Sequence, residues 1–244
     1  MQVRDNTILI TGGTSGIGLG FAEKFHQLEN KVIICGRRKD RLSQINDKYP
    51  DMGIKRCDVS DPGQRKELIA WTLSNYPETN ILINNAGVQL LGDLTKPIKM
   101  DRINTEVATN FIAPVHLSSL ISEHLAAKKE AAIINISSGL AFAPLAFMAV
   151  YCATKAAIHS FTLSLRRQLK QTSIKVFEIA PPAVDTELGQ DRRANQNHSH
   201  GGMPVSEFIE EALKALQNDV FESAIGQAAG LREKREELFS SMNP

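Results

Sequence analysis

The chain has 244 residues, 28 Lys and Arg against 27 Asp and Glu, and a hydrophobic share of 42%, which is enough for a sizeable core in one domain. A formal charge of +1 with both signs interspersed offers no basic stripe for a phosphate backbone, and no apolar run reaches the roughly 20 residues of a membrane helix, so neither nucleic acid nor a bilayer is expected as a partner. Cys35, Cys57 and Cys152 are scattered without metal-ligand spacing, and MQVRDNTILI runs into a strand without a signal-peptide pattern, so a reducing, cytoplasmic location is expected.

In chain order, β-branched runs predict strands at TILI (7–10), KVIIC (31–35), GIKRCDV (53–59), NILIN (80–84), AAIINIS (131–137) and IKVFEIA (174–180). Helical patterns such as Phe21, Phe25 and Leu28 lie between them. Strands separated by helix-length segments imply right-handed crossovers, hence a doubly wound α/β fold in three layers, with helices on both faces of a mostly parallel sheet. Residues 189–204, GQDRRANQNHSHGGMP, are polar and Gly-rich and predict a mobile substrate loop within a single domain spanning 1–244. Phe208, Ile209, Ala212, Leu213 and Leu216 then form one more amphipathic helix that packs back on the body.

The first strand runs into TGGTSGIG, residues 11–18. Glycines there let the backbone turn sharply against a pyrophosphate, and the following helix presents unpaired N–H groups to it. A nucleoside-triphosphate loop needs Lys and Ser or Thr after its last glycine, but Leu19 and Gly20 follow, which disfavours ATP chemistry. Ligands of open α/β sheets bind beyond the carboxyl ends of the strands. Gly12 follows the first strand, Arg37 the second, Asp58 ends the third, Asn84 to Gly87 the fourth, Ser138 the fifth and Pro181 to Thr186 the sixth, and all six positions point to one crevice. Further on, Tyr151 and Lys155 stand four apart in a helical stretch, so phenol and ammonium share one face. A free phenol has a pKa near about 10, and a neighbouring cation favours its phenolate.

The spacing of Gly12, Gly16 and Gly18, NNAG at 84–87, and Tyr151 with Lys155 together resemble the short-chain dehydrogenases/reductases over the whole chain. Leu19 breaks the GxxGxxG spacing of the epimerase branch, so the compact oxidoreductase branch is the better match. PPAVDT and the ending LFSSMNP are similar to a subgroup associated with D-alanyl-lipoteichoic-acid genes. The resemblance implies a Rossmann-like fold and an NAD(P)-dependent oxidoreductase, a carbonyl reductase or alcohol dehydrogenase moving hydride between nicotinamide and a small-molecule substrate. It implies that Tyr151 is the general acid or base, that Lys155 also holds the ribose hydroxyls, that Ser138 bonds the substrate oxygen with Ser137 as the competing serine, and that Asn110 holds a water linking Lys155 to solvent. Neither serine sits in the GxSxG turn of a hydrolase.

For the cofactor, the resemblance implies a wall made of Gly12, Thr14, Ser15, Gly16, Ile17 and Gly18, with Asp58 reading adenine beside Val59. Asn85, Ala86 and Gly87 line the adenosine and ribose, and Tyr151, Lys155, Pro181, Val184 and Thr186 complete the site. Pro182 replaces the family's usual glycine, which puts the local backbone path in question. Gly36, at the position where NAD-selective enzymes carry an acid, offers no carboxylate, and Arg37 and Arg38 follow at once, so NADP is expected over NAD, with Arg37 the nearer contact. The family usually forms homodimers or homotetramers through two long helices, near 102–127 and 150–170 here. His198 and His200 form a lone HxH in a polar loop, and no metal is assigned. The rival from another class is a non-catalytic, dinucleotide-sensing regulatory protein on the same fold.

Overall fold

The computed structural model describes residues 1–188 and 201–244. Its strands are β1 (Thr7–Thr11), β2 (Lys31–Gly36), β3 (Gly53–Arg56), β4 (Ile81–Asn84), β5 (Ala131–Ile136), β6 (Ile174–Ala180) and β7 (Glu222–Ala224). They pair in parallel in the order β3-β2-β1-β4-β5-β6-β7. Helices α1 (Gly16–Gln27), α2 (Lys39–Lys48) and α7 (Val205–Gln217) cover one face, while α3 (Pro62–Asn75), α5 (Ala113–Ala126) and α6 (Ala149–Gln168) cover the other.

The two-residue period of the strands builds these layers. Ile8 and Ile10 of β1 pack with Phe21, Phe25 and Phe208, while Leu9 between them packs with Leu68, Leu117 and Ile121 on the opposite side. The result is the expected three-layer, doubly wound sheet. The order in which successive strands are added reverses between β1 and β4, and at that switch point the connections leave on opposite sides and open a crevice.

Three details depart from the sequence-based reading. The third strand, expected to run to 59, ends at Arg56: Cys57 N–H still donates to the Gly36 carbonyl at 3.0 Å, and Asp58 then turns its carboxylate onto Ser60 N and Oγ at 2.9 and 2.7 Å. Asp58 therefore lies in an Asx turn beyond the strand, not at its end. The long helix expected near 102–127 is three pieces, α4 (Met100–Val107), a wide turn over Ala108–Ile112, and α5. Pro114 has no N–H to give the Asn110 carbonyl, and Ala113 N–H reaches back five residues to Ala108 instead. Finally, β7 is three residues of ESA, too short and too polar for any alternation to announce it.

Of the expected loop 189–204, residues 189–200 lie outside the described residues, as do His198 and His200. Beyond them Met203 joins the chain leaving β6: its N–H donates to Ala183 O at 2.8 Å and its carbonyl accepts from Asp185 N at 2.9 Å. The chain closes with α8 (Gln227–Lys234) and α9 (Phe239–Met242). No helix among the described residues is long and apolar enough to cross a membrane.

Candidate active site

A cavity of about 1100 Å³ opens over the carboxyl ends of the strands at the switch point. Every residue assigned from the sequence to cofactor or catalysis lines it except Asn110. Its floor is the glycine turn. Gly12 has φ +66°, and a Cβ there would sit 2.8 Å from Ala86 Cα. A Cβ on Gly18 would come within 2.3 Å of both Gly12 O and Asn85 Nδ2, so the turn closes this tightly only with hydrogen at both positions.

The NNAG segment braces that turn. Thr11 Oγ1 accepts from Asn85 N and Ala86 N at 3.0 and 3.1 Å, while Asn85 Nδ2 donates to Thr11 O and Gly12 O at 2.9 and 3.2 Å. Asn84 turns the other way, into the protein, where its amide donates to Asn135 Oδ1 at 2.9 Å and Ser118 Oγ at 3.2 Å. One asparagine thus shapes the site and its neighbour ties the sheet to α5.

The opposite wall is α6 and the segment after β5. Tyr151 and Lys155 are each 5% exposed. Lys155 Nζ donates to the Ile136 carbonyl at 2.9 Å and lies 5.7 Å from the centroid of the Tyr151 ring. Burial pulls the Lys155 ammonium down from 10.5 to about 8, and the carboxylate of Glu178 acts in the opposite direction. Glu178, on β6, is fully buried, and its Oε2 lies at hydrogen-bond distance, 2.8 Å, from His159 Nδ1. Ser138 caps a short turn, with Oγ accepting from Leu140 N at 3.1 Å. Ser137 lines the cavity beside it, and its buried Oγ has no hydrogen-bond partner among the described residues.

Asn110 lies behind this wall, 1% exposed. Its Oδ1 accepts from Val88 N at 2.9 Å, and its Nδ2 donates to Val88 O at 2.8 Å and Thr154 Oγ1 at 3.1 Å. The amide therefore pins the chain after NNAG to α6 one turn from Tyr151. The wide turn over Ala108–Ile112 presents Thr109 to the cavity in its place. At the far side Pro181 O accepts from Gly139 N at 2.9 Å, which holds the Pro181–Pro182 segment against the end of β5.

Residues that the sequence did not single out also line the cavity: Glu187, and Gln227, Leu231 and Met242 from α8 and α9. The last three come from the chain's end and are brought over by tertiary packing, for which no local pattern exists. Glu187 follows directly on Thr186 and meets the basic rim: Arg38 reaches both its carboxylate and Ser15 Oγ at 2.8 Å, and Arg41 reaches its other oxygen at 2.8 Å. Arg37 leans toward Asp58, with 4.0 Å between guanidinium and carboxylate.

A family model for short chain dehydrogenase matches residues 6–197. The chain belongs to the short-chain dehydrogenase family. This short-chain dehydrogenase is 45% identical over 248 residues to the uncharacterized oxidoreductase DltE of Bacillus subtilis (strain 168), covering 100% of this chain and 98% of that one, which agrees with the subgroup suggested by PPAVDT and the chain's ending. It is 30% identical over 214 residues to the NADP-dependent 3-hydroxy acid dehydrogenase YdfG of Escherichia coli (strain K12), covering 84% and 86% of the two chains. Its fold overlays that of a short-chain dehydrogenase from Sphingobium yanoikuyae in complex with NADPH with a TM-score of 0.80 at 27% identity, covering 90% and 87%. As a member of this family the chain is an oxidoreductase, and its cavity fits a nicotinamide dinucleotide on its own terms. The glycine cradle leaves no room for a Cβ beneath a ligand, α1 opens toward it with no acidic residue in its first turn, and Arg37 and Arg38 stand at the rim.

Proposed function

We propose that the chain is an NADP-dependent carbonyl reductase or alcohol dehydrogenase. The observation that carries this reading is the placement of Tyr151 and buried Lys155 on one wall of the cavity whose floor is the glycine turn. When bound, the nicotinamide supplies or takes up the hydride. The chain's own residues supply the rest. The amino end of α1 and the turn hold the pyrophosphate, Lys155 the ribose hydroxyls, and Arg37 and Arg38 a 2′-phosphate, which guanidinium grips through paired charge-assisted bonds. The Tyr151 phenol gives its proton to the substrate oxygen in reduction and takes it back in oxidation, and the Lys155 ammonium favours negative charge on the phenol oxygen in between. Ser138 donates its hydroxyl hydrogen to the same substrate oxygen and stabilises the charge developing there.

Leu140, Leu145, Phe147 and Met148 line the substrate end of the cavity with Leu231 and Met242, so the substrate presents an apolar body to them and a carbonyl to Tyr151. NADP is supported by the two arginines and by the NADP-dependent and NADPH-bound relatives. We place the reaction in the cytoplasm on the strength of three free, buried cysteines. The test is the absorbance of NADPH and NADH mixed with the protein and a panel of ketones, aldehydes and quinones. Faster oxidation of NADPH by at least one carbonyl is expected. Tight NADPH binding without oxidation by any of them would favour a dinucleotide sensor instead.

A further inference from the structure

We infer that Glu187 tempers the preference for NADP, by holding the guanidinium groups that a 2′-phosphate would need. This rests on the proposed use of Arg38 for that phosphate. In many dinucleotide folds an acid at the end of the second strand excludes a 2′-phosphate. Here Gly36 holds that place, packed so that a Cβ would meet Thr14 Cγ2 at 2.7 Å, and the strand itself supplies no carboxylate. The carboxylate comes instead from the loop after β6.

That supply crosses the sheet. Strands β2 and β6 stand four places apart in the order of the sheet, about 19 Å at the usual strand spacing. Arg38 and Arg41, from the chain after β2, nevertheless meet Glu187 in two ion pairs of 2.8 Å each. The same Arg38 guanidinium donates to Ser15 Oγ in the glycine turn, so the contact lies directly in front of the floor of the cavity, and Ser15, Arg38 and Glu187 all line it. The hydrogen bond from Arg38 holds the Glu187 carboxyl below the ordinary carboxylate range, so it is ionised at neutral pH.

A phosphate monoester on the ribose competes with this carboxylate twice. It must replace Glu187 on Arg38, and it is repelled by the negative charge it fails to displace. A 2′-hydroxyl does neither and leaves the ion pairs intact. The side chains are 32 to 44% exposed, so the pairs are exchangeable. Glu187 thus narrows the advantage that Arg37 and Arg38 give to NADP, and it brings the backbone beside Thr186 under the influence of which cofactor is bound.

Calorimetric titration of the full chain with NADP+ and with NAD+ tests this. Glu187→Gln keeps the size and removes the charge. It should tighten NADP+ by about threefold or more, the scale of a partly exposed ion pair, and leave NAD+ unchanged. In the Arg38→Ala background the same change should give a smaller gain, because the contested group is gone. If wild type prefers NADP+ and loses that preference in Arg38→Ala, yet Glu187→Gln leaves NADP+ binding unchanged or weaker, the inference about Glu187 is overturned while the arginine reading stands. If wild type already prefers NAD+ and Arg38→Ala changes nothing, both fall together.

Discussion

Lys155 carries its charge where the surroundings resist it. Burial lowers its ammonium from 10.5 to about 8, while the unfolded chain keeps the ordinary value. Between those two pH values the unfolded state binds more protons than the folded one, so stability rises with pH there, and below about 8 the whole penalty is present, on the order of 3 kcal/mol. The methionine variant Lys155→Met has no such term. Its stability relative to wild type, read by urea denaturation, should be most favourable at pH 7 and should fall by about that amount toward pH 10.5. A difference that does not change with pH would mean that the ammonium is solvated. Glu178 opposes the burial effect, so Glu178→Gln should lower Lys155 further and move the alkaline limb of the pH dependence of kcat to lower pH. An unmoved limb would remove Glu178 from the electrostatics of the site. The partnership of Tyr151 and Lys155 is legible in the sequence because both lie on one helix at a spacing of four. Glu178 is not, because its partners stand on α6 and are met only when β6 packs under it.

At the scale of elements, the strands were legible wherever β-branched residues alternate between two buried faces, as in β1, where Ile8 and Ile10 go one way and Leu9 the other. The same rule misjudged the end of β3, where Cys57 and Val59 look like further strand but Asp58 finds a better partner in Ser60. It could not see β7 at all. The break at Asn110 was hidden for a different reason: asparagine inside an apolar helical pattern reads as a tolerated polar residue, and its three bonds to Val88 and Thr154, which add to the missing N–H of Pro114 where the helix widens, are made only in the folded chain. The glycine turn was legible in position but not in tightness. Gly18→Ala drives a methyl group into backbone at 2.3 Å and should cost about 1–3 kcal/mol, with weaker NADPH binding as well. Gly230 in α8 is the control, because a Cβ there meets nothing within 4 Å, so Gly230→Ala should gain up to about 1 kcal/mol from helix propensity. Urea midpoints that move in the same direction for both variants would contradict this reading of the turn.

For the whole molecule, the apolar surface left on the long helices predicts association. Ile112 and Leu163 are 45% and 44% exposed, on the two helical segments through which the family usually forms dimers or tetramers. We predict a homodimer or homotetramer by light scattering at micromolar concentration. A monomer that persists there would leave these side chains without the partner that their exposure calls for. The cavity depends on the whole chain in another sense, since its walls come from every strand end between β1 and β6 and from the final helices. A sequence can announce the strand ends, because turn residues mark them, but not that Leu231 and Met242 return to close the substrate side. On the proposed reading the substrate meets that returning wall together with Leu140, Leu145, Phe147 and Met148. The proton transfer is the central claim. It is tested most directly by comparing wild type with Tyr151→Phe in single-turnover oxidation of NADPH by a carbonyl that the wild type accepts, with NADPH affinity measured alongside. Turnover at least about 100-fold slower in the variant, with affinity nearly unchanged, is the expected result. Turnover close to wild type would show that Tyr151 does not carry the proton.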